Sequence, residues 1–226
     1  MEITEFYGGS HPSEVPFYTQ RDVAMVCGVP ARTLGDWLRP TESGGMRDEL
    51  IVGPGGPDGR LSFQNLVEAY IVRLMQDQGG VPTRRLRNFV VAERDRGVDR
   101  PFLRPDGYWV GTGVYRNVAD DLVDASEWQQ YVLRPIVERY VDRIQYEEDR
   151  PVELFPTYPG SDSRAIRIDP RVRFGRPTID GTGIKTATVW ERAKAGETIR
   201  AIAEGYGLDE DLAAEAYRYE VSRRAA

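Results

Sequence analysis

The stretch YTQRDVAMVCGVPARTLGDWL, from Tyr18 to Leu38, decides how the first half of this chain is read. Its apolar residues fall into two groups at helical spacing: Val23, Ala24, Val26 and Cys27, then Leu34, Trp37 and Leu38. Each group predicts a short helix with one buried face. Thr19 followed three residues later by Asp22 is a capping-box pattern that opens the first helix. Gly28 supplies the backbone freedom of a sharp turn. Pro30, with its torsion preset, suits the first turn of the second helix. A small residue, a turn glycine and an apolar anchor, here Ala24, Gly28 and Leu34, are what a helix-turn-helix needs where its helices cross. An ordinary helical hairpin satisfies the same short pattern.

Composition bounds the rest. The chain has 226 residues, 40% hydrophobic and 29% charged, ample for one large core or two smaller ones. A single cysteine, Cys27, excludes an intrachain disulfide and a multi-thiolate zinc site, and a single histidine, His11, leaves little material for histidine metal or triad chemistry. No metal site, cofactor or catalytic set is therefore expected, and the chain is read as no enzyme. No apolar run nears the roughly 20 residues of a membrane span. The start MEITEFYGGS lacks a basic segment and an apolar core, so a cytoplasmic protein is expected. The net charge of −6 is uneven: residues 120–154 hold ten acids against four arginines, and the remainder sums to zero. Within that remainder Arg84, Arg85, Arg87, Arg94 and Arg96 cluster, as do Arg164, Arg167, Arg171, Arg173 and Arg176. Local basic faces can serve a nucleic acid despite an acidic total, although charge clusters are also ordinary solvated faces.

Outward from the opening stretch, LIVGPGGPDGRLSF (50–63) predicts two short strands about a Gly/Pro turn. No Lys-Ser/Thr follows GPGGPDG, so it is a turn and not a phosphate loop. Two helices follow. Ser62 caps the first, with Leu66, Val67, Tyr70, Ile71, Leu74 and Met75 inward, and Thr83 caps the second, with Leu86, Phe89 and Val90 inward. Helix-turn-helix, wing and the run SF..LV...IV.LM...GVPT..LR together resemble the winged-helix DNA-binding domain of the MerR family over residues 17–96. That resemblance implies operator DNA as a partner. The second helix would then present Ala31, Arg32, Thr33, Gly35 and Asp36 outward. Arg32 is the candidate for a guanine edge, Thr33 and Arg39 for base or backbone, and Arg60, Arg84 and Arg85 for phosphates. Such domains commonly read paired half-sites, so a homodimer is expected.

Residues 98–119 suggest short strands about a Pro-Asp-Gly turn, and SEWQQYVLRPIVERYVDRIQYEED (126–149) reads as a helix interrupted at Pro135. Asp120, Asp121, Asp124 and Glu127 form a solvated acidic face and follow no calcium-loop order. Further on, VRFGRPTIDGTGIK (172–185) superficially suggests a phosphate cradle. Ile184, however, separates Gly183 from Lys185, and the stretch reads as a folding element with short strands at Ile166, Ile168, Phe174 and Ile179. Three helices follow, lined by Ala187, Val189, Trp190 and Ala193, then Ile199, Ile202, Ala203 and Tyr206, then Leu212, Ala213, Ala216 and Tyr217. Ala203, Gly207 and Ala213 repeat the spacing of Ala24, Gly28 and Leu34. This second unit opens its last helix with Asp209, Glu210 and Asp211, which suit a protein partner better than phosphates.

The motifs IRIDPRVRFGRPTIDGT, AGETIRAIAEGYGL and AAEAYRYE, within residues 164–220, resemble the domain of unknown function 433 family known from VapB-type antitoxins of toxin–antitoxin pairs. The chain carries Gly183 where that family has an arginine after Gly-Thr. The resemblance implies an antitoxin that neutralises a cognate PIN-like RNase toxin and represses its own operon, with Asp209, Glu210 and Asp211 toward the toxin. A free-standing MerR-like regulator is the alternative. The expected fold is α+β and mainly helical: a winged helix-turn-helix over 1–97, an α+β connector over 98–161, and an antitoxin-type domain over 162–226.

Overall fold

A computed structural model describes residues 7–41, 48–53, 59–77, 79–104 and 142–225. The fold is α+β and mainly helical. Among the described residues it has seven α-helices and two small antiparallel strand pairs. The reading of Asp120, Asp121, Asp124 and Glu127, and most of the helix expected over 126–149, lie outside the described residues.

Helix α1 (Gln20–Cys27) opens with the expected capping box: Thr19 Oγ1 accepts from the Asp22 N–H, and an Asp22 carboxylate oxygen accepts from the Thr19 N–H. It closes at Gly28 in the left-handed region (φ 64°), which any side chain would strain. Val23, Ala24, Val26 and Cys27 are its buried residues, the four marked by the sequence. Helix α2 (Ala31–Trp37) buries Leu34, Gly35 and Trp37, and Pro30 is its N-cap and not, as the pattern suggested, part of its first turn. Gly35 therefore does not face outward as expected. A Cβ there would lie 3.2 Å from the Arg39 guanidinium folded over it.

Helix α3 (Phe63–Asp77) is the central element, buried on nearly all sides and packed against α1, the 3-10 turn Pro101–Leu103 and the strand Arg150–Leu154. Ser62 caps it, its hydroxyl accepting from the Asn65 N–H while Asn65 Oδ1 accepts from the Ser62 N–H. Helix α4 (Thr83–Asp95) places Pro82, not Thr83, at its N-cap. Of residues 98–119, expected as short strands, only 98–104 are described; they hold the Pro101–Leu103 turn, where Phe102 inserts into the core against Phe89 with ring centroids 5.6 Å apart, and the rest lies outside the described residues. The described legs of the expected wing also bond elsewhere. The Leu50 and Ile51 N–H groups donate to the Trp37 carbonyl, and Leu61 pairs with Tyr18.

The end of the expected 126–149 helix is instead strand β1 (Ile144–Glu147), paired with β2 (Arg150–Leu154) across a turn in which Glu148 and Asp149 both have positive φ. Pairing puts Ile144 and Leu154 into the first core, and that burial outweighs local helical periodicity. Ile168 then bridges to Leu154 and joins the same core, while Ile166 in β3 (Ile166–Arg167) pairs with β4 (Thr178–Ile179) and joins a second core. The chain passes from one core to the other within three residues. Helices α5 (Thr186–Lys194), α6 (Ile199–Tyr206) and α7 (Glu210–Ala225) complete the second core, with α7 packed on α5 and α6 and also against α1. Tyr219, absent from the sequence reading of α7, is its large buried side chain, while Tyr206 is exposed under Arg192.

Candidate functional site

Two surfaces carry the residues singled out by sequence. The first is built on α2. Its C-terminal carbonyls are held by Arg87, whose guanidinium donates to the carbonyls of Asp36 (2.6 Å), Arg39 (3.1 Å) and Asp48 (2.8 Å). A cation there also suits the negative end of the helix. Arg87 thus leaves the basic cluster to act as a clamp, and it brings the start of α4 against the end of α2. Arg84, one turn earlier on the same stripe of α4, is exposed, and Arg85 is half-buried. Arg32 is exposed in the first turn of α2, Thr33 is half-buried, and Arg39 is exposed just beyond the helix. Arg60 is also exposed, though one of its nitrogens donates to the Phe17 carbonyl at 3.1 Å. Arg32 and Arg39 thus mark opposite ends of α2, and both are exposed, as is Arg84.

The second arginine cluster behaves differently. Arg164 donates to the Asp142 carbonyl and stacks on Phe155. Arg167 and Arg171 pair with Glu153, and Arg171 also binds Asp169 and Glu147. Arg173 donates to the Gly183 carbonyl, and Arg176 reaches Asp22 at 2.7 Å. These side chains are spent on the fold. Amides of VRFGRPTIDGTGIK are spent as well: those of Gly175, Arg176, Ile179, Asp180 and Thr182 all donate to backbone carbonyls of the chain. The stretch is a folding element, as its sequence indicated.

That element also joins the two cores. Arg173, Phe174 and Gly175 have φ of 51°, 54° and 68° in succession, an arrangement that only glycine adopts without cost. The tight turn brings the Gly175 carbonyl to the Tyr18 hydroxyl (3.1 Å) and the Phe174 ring to Phe17 (centroids 5.5 Å). A Cβ on Gly175 would fall 1.7 Å from Tyr18 Oη. Arg176 meanwhile bonds the same Asp22 that completes the α1 capping box. Burial pushes the Asp22 carboxyl up, but Thr19 and Arg176 together hold it below its ordinary value.

The second surface is the start of α7. Thr198 caps α6, accepting from the Ala201 N–H, and Gly207 ends it at φ 65° with its N–H directed to the Ala203 carbonyl. Ala203 and Ala213 are buried where the units cross. Asp209, Glu210 and Asp211 are exposed, with Arg200 3.5 Å from Glu210. Carboxylates at a helix start also favour the helix itself through its dipole, so part of their role is structural.

Reactive groups elsewhere are muted. Burial pushes the Cys27 thiol up to about 12, which leaves it protonated and a poor nucleophile. His11 is held in a turn, its Nδ1 2.7 Å from Ser13 Oγ. Among the described residues no His, Cys, Asp and Glu group could hold a metal ion, and no helix is long and apolar enough to cross a membrane.

Residues 166–219 match the family model described as Protein of unknown function (DUF433). A protein of Mycobacterium tuberculosis (strain ATCC 25618 / H37Rv) named "Putative antitoxin VapB45" is 28% identical over 219 residues, covering 88% of this chain and 91% of that protein. The X-ray crystal structure of Rv2018 from Mycobacterium tuberculosis is similar at a TM-score of 0.70 and 25% identity, covering 90% of this chain and 98% of that one. The resemblance to VapB-type antitoxins read from the C-terminal motifs holds, and the similarity extends across both cores.

Proposed function

We propose that the protein is the antitoxin of a toxin–antitoxin pair, neutralising a PIN-like RNase toxin and repressing its own operon as a homodimer on operator DNA. The observation that carries this reading is the similarity to the antitoxin-named mycobacterial protein, which spans the basic and the acidic helix-turn-helix units together. The division of labour follows from charge. A polyanionic duplex favours the unit displaying Arg32, Arg39, Arg60, Arg84 and Arg85. An RNase, built to hold a polyanion, favours an inhibitor that presents carboxylates such as Asp209, Glu210 and Asp211. In this reading residues 1–97 bind DNA, 98–161 connect, and 162–226 meet the toxin.

Cutting the chain near Ser161 is a poor test, because Ile168 packs in the first core and pairs with Leu154. Charge reversal in the intact chain is cleaner. Co-expression with the product of a neighbouring nuclease gene should give a co-purifying complex without RNase activity. The triple substitution Asp209→Lys, Glu210→Lys and Asp211→Lys should release the nuclease while leaving operator binding intact. Full inhibition by that variant would move the toxin contact away from α7. A gene neighbourhood without a small acidic nuclease would favour the alternative, a MerR-like regulator acting alone.

A further inference from the structure

The turn that joins the two cores also shapes the surface around it. Arg173, Phe174 and Gly175 stand in succession in the left-handed region, and the two with side chains carry a cost there. Backbone strain persists only where the surroundings hold it, and an observed outlier is a pointer to function. What this turn displays is a phenyl ring. Phe174 is 53% exposed, the most exposed large hydrophobic residue among those described.

The ring is firmly seated. It packs edge-on against Phe17 at 5.5 Å, and the row continues from Phe17 to Tyr7 at 5.6 Å. The Tyr7 hydroxyl ties the row down by donating to the Pro170 carbonyl at 3.0 Å. Arg60 adjoins it, one nitrogen donating to the Phe17 carbonyl. The first core thus supplies Phe17 and Arg60 to this patch, and the turn leading into the second supplies Arg173 and Phe174.

Charge sets the patch apart from an ordinary mixed surface. Arg60 and Arg173 are both exposed, and each bonds a neutral carbonyl, of Phe17 and of Gly183. Those bonds fix the side chains and leave their positive charges uncompensated. Among the described residues, the carboxylates nearest in the chain are committed to other arginines. Glu14 lies 3.8 Å from Arg150, Asp22 2.7 Å from Arg176, Asp169 3.0 Å from Arg171 and Asp180 3.2 Å from Arg167. Two cations flanking exposed aromatic rings suit a polyanion with apolar faces between its charges, as in the sugar–phosphate backbone of a nucleic acid. Pairing this patch with itself in a second copy of the chain would set like charges together.

We propose that the Arg173–Phe174 turn is a second contact to operator DNA, the Phe174 ring lying against a deoxyribose while Arg60 and Arg173 meet the phosphates on either side. The inference rests on the DNA-binding reading, in which Arg60 meets a phosphate, and extends that surface across the joint. DNA bound here touches both cores.

The test measures binding of the intact chain to a duplex taken from directly upstream of its own reading frame, and to one of scrambled sequence, over a series of salt concentrations. Arg173→Gln should weaken both and lower the salt slope by about one. Phe174→Ala should weaken both by about threefold to tenfold while melting close to the wild-type temperature. Arg200→Gln, at a side chain 75% exposed on α6, should change neither quantity. A wild-type chain that binds neither duplex overturns the DNA-binding reading and this contact with it. When the wild type does bind, an unchanged slope in Arg173→Gln, unchanged affinity in Phe174→Ala, or an equal loss in Arg200→Gln overturns the turn contact alone. A Phe174→Ala that melts many degrees lower would make the ring a part of the fold and not a contact. Loss of a co-purifying nuclease from Phe174→Ala, with DNA affinity intact, would assign the patch to a protein instead.

Discussion

Gly28 sits at φ 64° and ψ 36°, and Gly207 at φ 65° and ψ 34°. Each sends its N–H to the alanine four residues before it, Ala24 or Ala203, and each precedes by six residues a fully buried anchor, Leu34 or Ala213. The two helix pairs are therefore equivalent in backbone at the turn. They diverge in everything displayed around it. The first follows its turn with the exposed Arg32, Arg39 and Arg84, and the second with Asp209, Glu210 and Asp211. Backbone geometry can thus be repeated within one chain while the surface charge displayed around the copies differs in sign.

The largest effect should come at the joint between them. Gly175→Ala adds a Cβ in a left-handed backbone and drives it into Tyr18 Oη, so it should cost about 2–4 kcal/mol in denaturant unfolding. A cost below about 1 kcal/mol would mean that Tyr18 swings away freely and that the two units are only loosely coupled.

Next come the charges that distinguish the copies. Arg32→Ala should weaken operator binding by about 1–3 kcal/mol and relax one base position, whereas Arg85→Ala should lower the salt slope by about one for all sequences. Wild-type operator affinity in Arg32→Ala, measured by titration at fixed salt, would mean that α2 is not the reading helix.

The turns themselves offer a matched pair. Open space surrounds both glycines, so Gly28→Ala and Gly207→Ala should each cost about 1–2 kcal/mol from backbone strain alone. Similar losses of thermal stability would support the equivalence, and a difference larger than the cost itself would break it.

A pH-dependent effect concerns a carboxylate buried in the first core. Burial in α3 pushes the Glu68 carboxyl up to about 7, against the opposing pull of Arg100 and Asn65. Between its ordinary value and about 7 the folded protein holds a proton that the unfolded chain has released. The Glu68 contribution to stability is therefore full below that window and is lost as pH rises through it. Glu68→Gln should gain on the wild type by about 2–3 kcal/mol in melts taken from about pH 5 to about pH 8. A difference that stays constant with pH would show that Glu68 has the same pKa folded and unfolded.

Much of this was legible in the residues themselves. Both helix pairs with their turn glycines, the Thr19–Asp22 box, the Ser62 cap and the acidic start of α7 follow from local spacing and capping, because a helix of this length records its buried face and its ends in consecutive residues. What the sequence could not set was whatever depends on a distant partner. Residues 144–147 carry helical periodicity, yet Leu154 captures Ile144 and makes a strand. The flanks of the Gly/Pro turn look like a hairpin, yet Trp37 and Tyr18 take their hydrogen bonds. Arg87 and Arg176 look like members of basic patches, yet each is consumed by carbonyls or a carboxylate far along the chain. Periodicity and capping are properties of neighbours, whereas the destination of a charge or an edge hydrogen bond depends on which surfaces the completed fold brings together.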